Sequence, residues 1–323
     1  MRRILGFAAL AAAAGFIGQA RAQSDYPARP VKMVVGFAAG GISDVLGRAI
    51  AAKMTTTIGQ PVIVENKPGA GTTIAGDAVA KAAPDGYTIW LQDITSHAIN
   101  ASLYTKLPYD SVRDFTAVAL VASTPLMLVV HPSTPANSVK DLIALLKASP
   151  GKYSYGSSGN GTIVHLSAEM LKAAAGVDAL HVPYKGSNPA TAAILGGEVT
   201  FVFSTMPPAV SATRGGKLRA LAVTTPQRSG AAPDVPTMIE AGMPGFEIVL
   251  YSGVLGPKGM DPALVRKLNA EFAKAVKAPE MQPVWQNIGA DPLAMSPEEF
   301  EKKTTAEIAK LAPIVKASGA KID

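Results

Sequence analysis

Two glycine-rich segments carry residue types from which an anion site can be built. The first runs Gly36-Phe37-Ala38-Ala39-Gly40-Gly41-Ile42-Ser43-Asp44, the second Gly156-Ser157-Ser158-Gly159-Asn160-Gly161-Thr162. Each follows a stretch that reads as a strand and opens one that reads as a helix. Glycine lets the backbone turn sharply and brings peptide N–H groups close to a ligand. A helix N-terminus adds unpaired donors and a partial positive charge, so a carboxylate or phosphate can be held without an arginine. Ser157, Ser158 and Thr162 add hydroxyls to the second segment, and Ser43 or Asp44 can cap the first helix. Either segment alone could be a capped turn and nothing more. Two of them at carboxyl ends of strands, where open α/β sheets bind ligands, favour a site.

Other candidates lie at the same ends of neighbouring strands. Thr95 and Ser96 follow YTIWLQ and are either ligand donors or the cap of a helix starting near Ala98. Lys185 follows HVPY and supplies either a fixed positive charge or a solvated side chain. Ser204 and Thr205 end a strand that Pro207-Pro208 would turn.

Much chemistry is missing. With no cysteine, disulfides, thiolate metal sites and cysteine nucleophiles are excluded. His97, His131, His165 and His181 are scattered, with no H-E-x-x-H, so no metal site is expected. No G-x-S-x-G and no phosphate-binding G-x-x-x-x-G-K-[ST] occurs. A third cluster, Gly69-Ala70-Gly71-Thr72-Thr73-Ile74, approaches the dinucleotide fingerprint, and Asp93 lies 22 residues past Gly71. Ile74, however, stands where that fingerprint needs Gly or Ala, so a plain βα turn is the better account and no cofactor is expected.

The elements that must hold these residues alternate. VKMVVGF, PVIVEN and YTIWLQ read as strands, separated by helical windows at Ser43–Ile58 and Thr72–Ala82. After Pro125 the alternation restarts with LMLVVHP, then helices and strands as far as LRALAVT. A strand in EIVLYSGVLG and three helical windows follow. The pattern predicts an α/β protein with mainly parallel sheets flanked by helices. Its length of 323 residues predicts two domains. The last helices have no new strands to cover, which makes domain I discontinuous, 23–122 plus 246–323, with 123–245 as domain II. Two crossings between them form a hinge around a cleft.

Composition agrees with a folded, exported protein. Hydrophobic residues are 48% and charged residues 17%, enough for two cores. Residues 1–22 combine Arg2 and Arg3, an apolar run too short to span a bilayer, and Ala20-Arg21-Ala22, a cleavable signal with its exit after Ala22. Its loss removes three arginines and lowers the net charge from +6 to +3. Without a polybasic run, and with 6% aromatics, nucleic acid is not an expected partner.

Taken in order, these segments resemble the solute receptors of tripartite tricarboxylate transporters, the Bug proteins. The likeness rests on YPARPVKMVVGFAAGGISD, VIVENKPGAG, HAINASLYTKLPYD, YGSSGNGTIVHL, HVPYKGSNPA and GKLRALAVTTPQRSGAAPDVPTMIEAGMPGFE, and covers essentially the whole mature chain. It implies a two-lobed periplasmic binding protein fold of the Venus-flytrap kind, with no enzymatic activity. It also implies that Phe37–Asp44 and Ser157–Thr162 close on one carboxylate, partly through water. The small organic acid would then pass to integral-membrane subunits of the transporter, with the receptor a monomer. The family usually has proline where Gly36 stands, which should loosen the first loop. Its acidic–amide pair is Ser204-Thr205 here, which favours a non-amino mono- or dicarboxylate, aromatic acids included. A sensor or adaptor for the same acids, or an exported dinucleotide enzyme, are the rival readings.

Overall fold

A computed structural model of the chain describes residues 26–318 and Ile322, so the candidate signal segment lies outside the described residues. β1 (Val31–Val35), β2 (Val62–Asn66) and β3 (Thr88–Asp93) run parallel with β1 in the middle. Between β1 and β2, α1 (Ile42–Ile58) buries Ile42, Leu46, Ile50 and Met54, one apolar stripe at four-residue spacing. Each such side chain contributes about 2 kcal/mol on burial. Gly59, left-handed at φ 72°, stops the helix.

After α2 (Thr73–Ala80), α3 (Ile94–Leu103) follows β3 without a loop. Its cap is Asp93, whose carboxylate accepts the Thr95 and Ser96 N–H groups. The helix thus begins earlier than the sequence pattern suggests, and Thr95 and Ser96 lie inside it.

The chain then leaves the first sheet. β4 (Phe115–Thr124) ends at Pro125, and β5 (Leu126–Val130) already belongs to a second sheet. Proline suits that junction because it has no N–H to leave unpaired where the ladder changes. There follow α4 (Val139–Ala148), β6 (Ser154–Ser157), α5 (Ile163–Ala175), β7 (Leu180–Pro183), α6 (Ser187–Leu195), β8 (Phe201–Thr205), α7 (Met206–Arg214) and β9 (Arg219–Val223). Pro207 and Pro208, expected to fix a turn, instead occupy the first turn of α7, where their missing N–H groups cost nothing.

The chain returns through β10 (Leu250–Pro257), α8 (Pro262–Lys277), α9 (Gln282–Ile288), β11 (Asp291–Met295) and α10 (Pro297–Ala317). α8 packs on β4, and α10 on α3 and β4, so these helices cover the first sheet.

Strand order is β11-β4-β10-β3-β1-β2 in one sheet and β7-β6-β8-β5-β9 in the other. The expectation of mainly parallel sheets is corrected: both are mixed. β10, arriving from the second lobe, runs antiparallel between β3 and β4, and β5, arriving from the first, runs antiparallel between β8 and β9. A strand that has just crossed enters its new sheet against the direction of its neighbours. β11, on the edge beside β4, had no strand-like signal because its burial is slight.

Candidate functional site

The starts of five helices meet around one small cavity between the lobes. Gly41, Ile42 and Ser43 come from α1, Asp93 from the start of α3, Ile163 and Val164 from α5, Ser187 from α6 and Thr205 from α7. Phe37, Ser158 and Leu250 complete the lining, and the volume is about 10 Å³, room for one water. Larger grooves, about 850 Å³ beside Pro125 and about 380 Å³ beside Phe115, contain no residue of either glycine-rich loop.

Two buried hydroxyls in this lining have no hydrogen-bond partner: Ser43 Oγ from one lobe and Thr205 Oγ1 from the other. Buried polar atoms are rarely left so, and beside the starts of α1, α6 and α7, which carry no side-chain cap, these hydroxyls could donate to an anion.

Within the first loop only Phe37, Gly41, Ile42 and Ser43 reach the cavity. Asp44 works from behind. Its carboxylate accepts from Gly40 N (3.0 Å), Arg48 Nε (3.0 Å) and Asn66 Nδ2 (3.0 Å), which pins the loop to α1 and β2. Burial pushes the Asp44 carboxyl up, but these hydrogen bonds outweigh it and hold the group below its ordinary value. Gly40 makes the turn at φ 87°, and Ala38 N donates to Lys185 O (3.0 Å) across the lobes, while Ala39 is exposed. Gly36 is packed under Thr72, whose Cβ would lie 2.8 Å from an added Cβ. The space a proline ring would take there is therefore filled.

The second loop satisfies itself. Ser157 Oγ accepts from Gly159 N (3.1 Å) and lies 2.6 Å from His181 Nε2. Thr162 Oγ1 donates to Gly159 O (2.8 Å) and accepts from Ser158 Oγ (3.0 Å), leaving Ser158 as the hydroxyl facing the cavity. Gly161 N donates to His165 Nδ1 (3.3 Å), a bond that needs a neutral imidazole. Burial lowers His165 to about 4, and burial with the neighbouring His165 lowers His181 to about 3, so both are neutral at neutral pH. The carbonyl of Asn160 points at the other lobe, where a Cβ on Gly71 would lie 2.0 Å from it. The third glycine cluster therefore seats the second loop.

Other candidates serve the frame. Thr95 Oγ1 donates to Val249 O (2.8 Å) and accepts from Tyr251 N (3.2 Å), tying α3 to the returning crossing. Ser96 Oγ donates to Asp93 and accepts from Ile163 N (2.9 Å), a bridge between lobes. Ser204 Oγ is engaged with Thr191 Oγ1 (2.8 Å), away from the cavity. The Lys185 side chain is exposed; only its carbonyl joins the cross-lobe contacts.

Sequence reasoning missed Ser187 and Asp93. Ser187 follows Gly186 at a helix start, the same signal that marked the other loops. Asp93 was weighed only for dinucleotide spacing, whereas it is 1% exposed in the lining, and burial raises its carboxyl to about 6 against the pull of bonds from Ser96 and Thr95.

Known proteins agree with this architecture. Residues 46–320 match the family model described as tripartite tricarboxylate transporter family receptor. Protein BugT of Bordetella pertussis is 36% identical over 323 residues, covering 100% of this chain and 99% of BugT. The structure of R. palustris Rpa4515 with adipate superposes with a TM-score of 0.89 at 36% identity, covering 92% of this chain and 100% of the other. MatC of Rhodopseudomonas palustris with bound malate gives 0.86 at 32% identity, covering 90% and 100%. These neighbours are solute-binding receptors, not enzymes. Among the described residues no helix is long and apolar enough to cross a membrane. The chain belongs to the tripartite tricarboxylate transporter family of receptors.

Proposed function

We propose that the protein captures a small organic acid in the periplasm, between its lobes, and delivers it to the membrane subunits of a tripartite transporter. The observation that carries the site is the pair of unpartnered hydroxyls, Ser43 and Thr205, facing one cavity from opposite lobes. A carboxylate there accepts from both hydroxyls and from N–H groups at the helix starts, so it gains most when the lobes are shut. Ser158 and Ser187 complete the contacts. Asp44, Thr95, Ser157, Gly159, Asn160, Gly161 and Thr162 shape the loops. The relatives bound to adipate and malate support a carboxylate as the ligand.

A cavity of about 10 Å³ cannot admit such an acid, so the lobes, 23–122 plus 246–323 and 123–245, part about their two crossings to load it. Export would remove residues 1–22, and the receptor acts as a monomer. The test is a thermal-shift screen of the mature, ligand-free protein against adipate, malate, succinate, citrate, benzoate, glutamate and NAD. A binder at about 100 times its Kd stabilises the fold by about 2.7 kcal/mol, a clear rise in Tm. A rise with one class of acid and none with NAD supports the reading. No rise with any acid refutes it.

A further inference from the structure

Among the described residues, Asp93 is the one titratable side chain in the cavity lining. The receptor site gives it a ligand carboxylate for a neighbour, and any role for Asp93 toward that ligand rests on the receptor reading. Among the described residues no cation lines the cavity to balance two negative charges. On α1, Arg48 is bonded to Asp44. On α3, His97 is buried with Nε2 on Ser111 O (2.7 Å). On β10, Tyr251 lies under the Lys303 ammonium (4.2 Å). His165 of α5 is held by Gly161 N, and Lys185, ahead of α6, is exposed. The hydrogen bonds of the Asp93 carboxylate come from Thr95 N, Ser96 N and Ser96 Oγ alone.

Two carboxylates enclosed together with no cation cannot both stay ionised. We infer that Asp93 is a ligand-binding residue that meets the acid in its protonated form, so that each anion is captured together with one proton from solvent. The geometry assigns the proton to Oδ2. Oδ1 accepts both N–H groups that cap α3, whereas Oδ2 is bonded only to the Ser96 hydroxyl, which can continue to donate to it. Protonated Oδ2 then donates to the ligand carboxylate, beside the hydroxyls of Ser43 and Thr205. Burial already raises this carboxyl toward neutrality before a ligand enters. The opposite use, an ionised Asp93 receiving a ligand ammonium, would surround a cation with the positive ends of helices.

The experiment is calorimetric titration of the mature protein with adipate, malate, succinate and benzoate between about pH 6.5 and 8.5, where the acids are fully ionised. His97 and His165, both lowered to about 4, stay neutral throughout this window. Kd should rise about tenfold per pH unit above about pH 7, and heats in buffers of different ionisation enthalpy should report about one proton taken up per acid bound. In Asp93→Asn, which keeps a good helix cap, the pH slope and the proton uptake should both vanish. An acid that binds the wild type with pH-independent Kd and no proton uptake overturns the inference and leaves the receptor standing. So does affinity that strengthens with pH. Binding of no acid at any pH overturns the receptor reading itself.

Discussion

Asp93 should also make the fold sensitive to pH without any ligand. Its carboxyl titrates at about 6 in the folded protein against an ordinary 3.8 unfolded, so the native state holds the proton more tightly. The stability this gives is fully present below pH 3.8 and is lost as pH rises toward about 6, beyond which a buried charge remains. The shift corresponds to about 3 kcal/mol. Asp93→Asn should therefore melt well above wild type at pH 8 and level with it near pH 4; an equal difference at both pH values would rule this out. Ser43→Ala and Thr205→Val make the complementary case. Each removes a buried hydroxyl with no partner, so each should leave stability unchanged or raise it by up to about 1 kcal/mol, while weakening acid binding about tenfold or more. A loss of stability matching the loss of affinity would mean these hydroxyls hold the fold. From the sequence, the loops that bear such residues were legible, because glycine between strand and helix is a local signal. Which hydroxyl faces the cavity was not, since Ser157 and Ser158 differ only in partners, Gly159 N and His181 for one and Thr162 for the other, that folding brings together.

At the scale of elements, the closed arrangement depends on backbone approaching backbone. Gly71, at φ 57°, brings its Cα to the Asn160 carbonyl, and Gly161, at φ 77°, leaves no room for a side chain against Asn100 Oδ1. Gly71→Ala should cost about 1 kcal/mol of stability for its left-handed backbone. Its Cβ, 2.0 Å from Asn160 O, would also wedge the lobes apart, so acid affinity should fall more than tenfold. Small-angle scattering with saturating acid should show a particle that stays expanded; one that contracts as wild type does would exclude the wedge. Helices were the most legible elements, because stripes such as Ile42, Leu46, Ile50 and Met54 carry their own periodicity. Strand direction was not legible. β10 and β5 are apolar runs like their parallel neighbours, and only the pairing reveals that they run the other way. The early start of the helix at Ile94 was missed for a related reason: its cap is the last residue of a strand.

For the whole molecule, the small cavity and the cross-lobe contacts lead to one requirement. If the acid binds at Ser43 and Thr205 as proposed, a cavity of about 10 Å³ requires the lobes to part for it to enter. The chain lacks cysteine, so a single introduced pair would be its only thiols. Gly40 and Asn188 face each other from opposite lobes, and a Cβ on Gly40 would lie 3.5 Å from the Asn188 Cβ, within the usual span of a disulfide. Cysteine at Gly40 adopts φ 87° at a cost of about 1 kcal/mol, small against the effect sought. Gly40→Cys with Asn188→Cys, oxidised without ligand, should give no thermal shift with any acid, and reduction should restore the shift. If the oxidised, empty protein binds acid at the wild-type rate, entry does not require the lobes to part, and the two crossings carry no hinge motion that matters for capture.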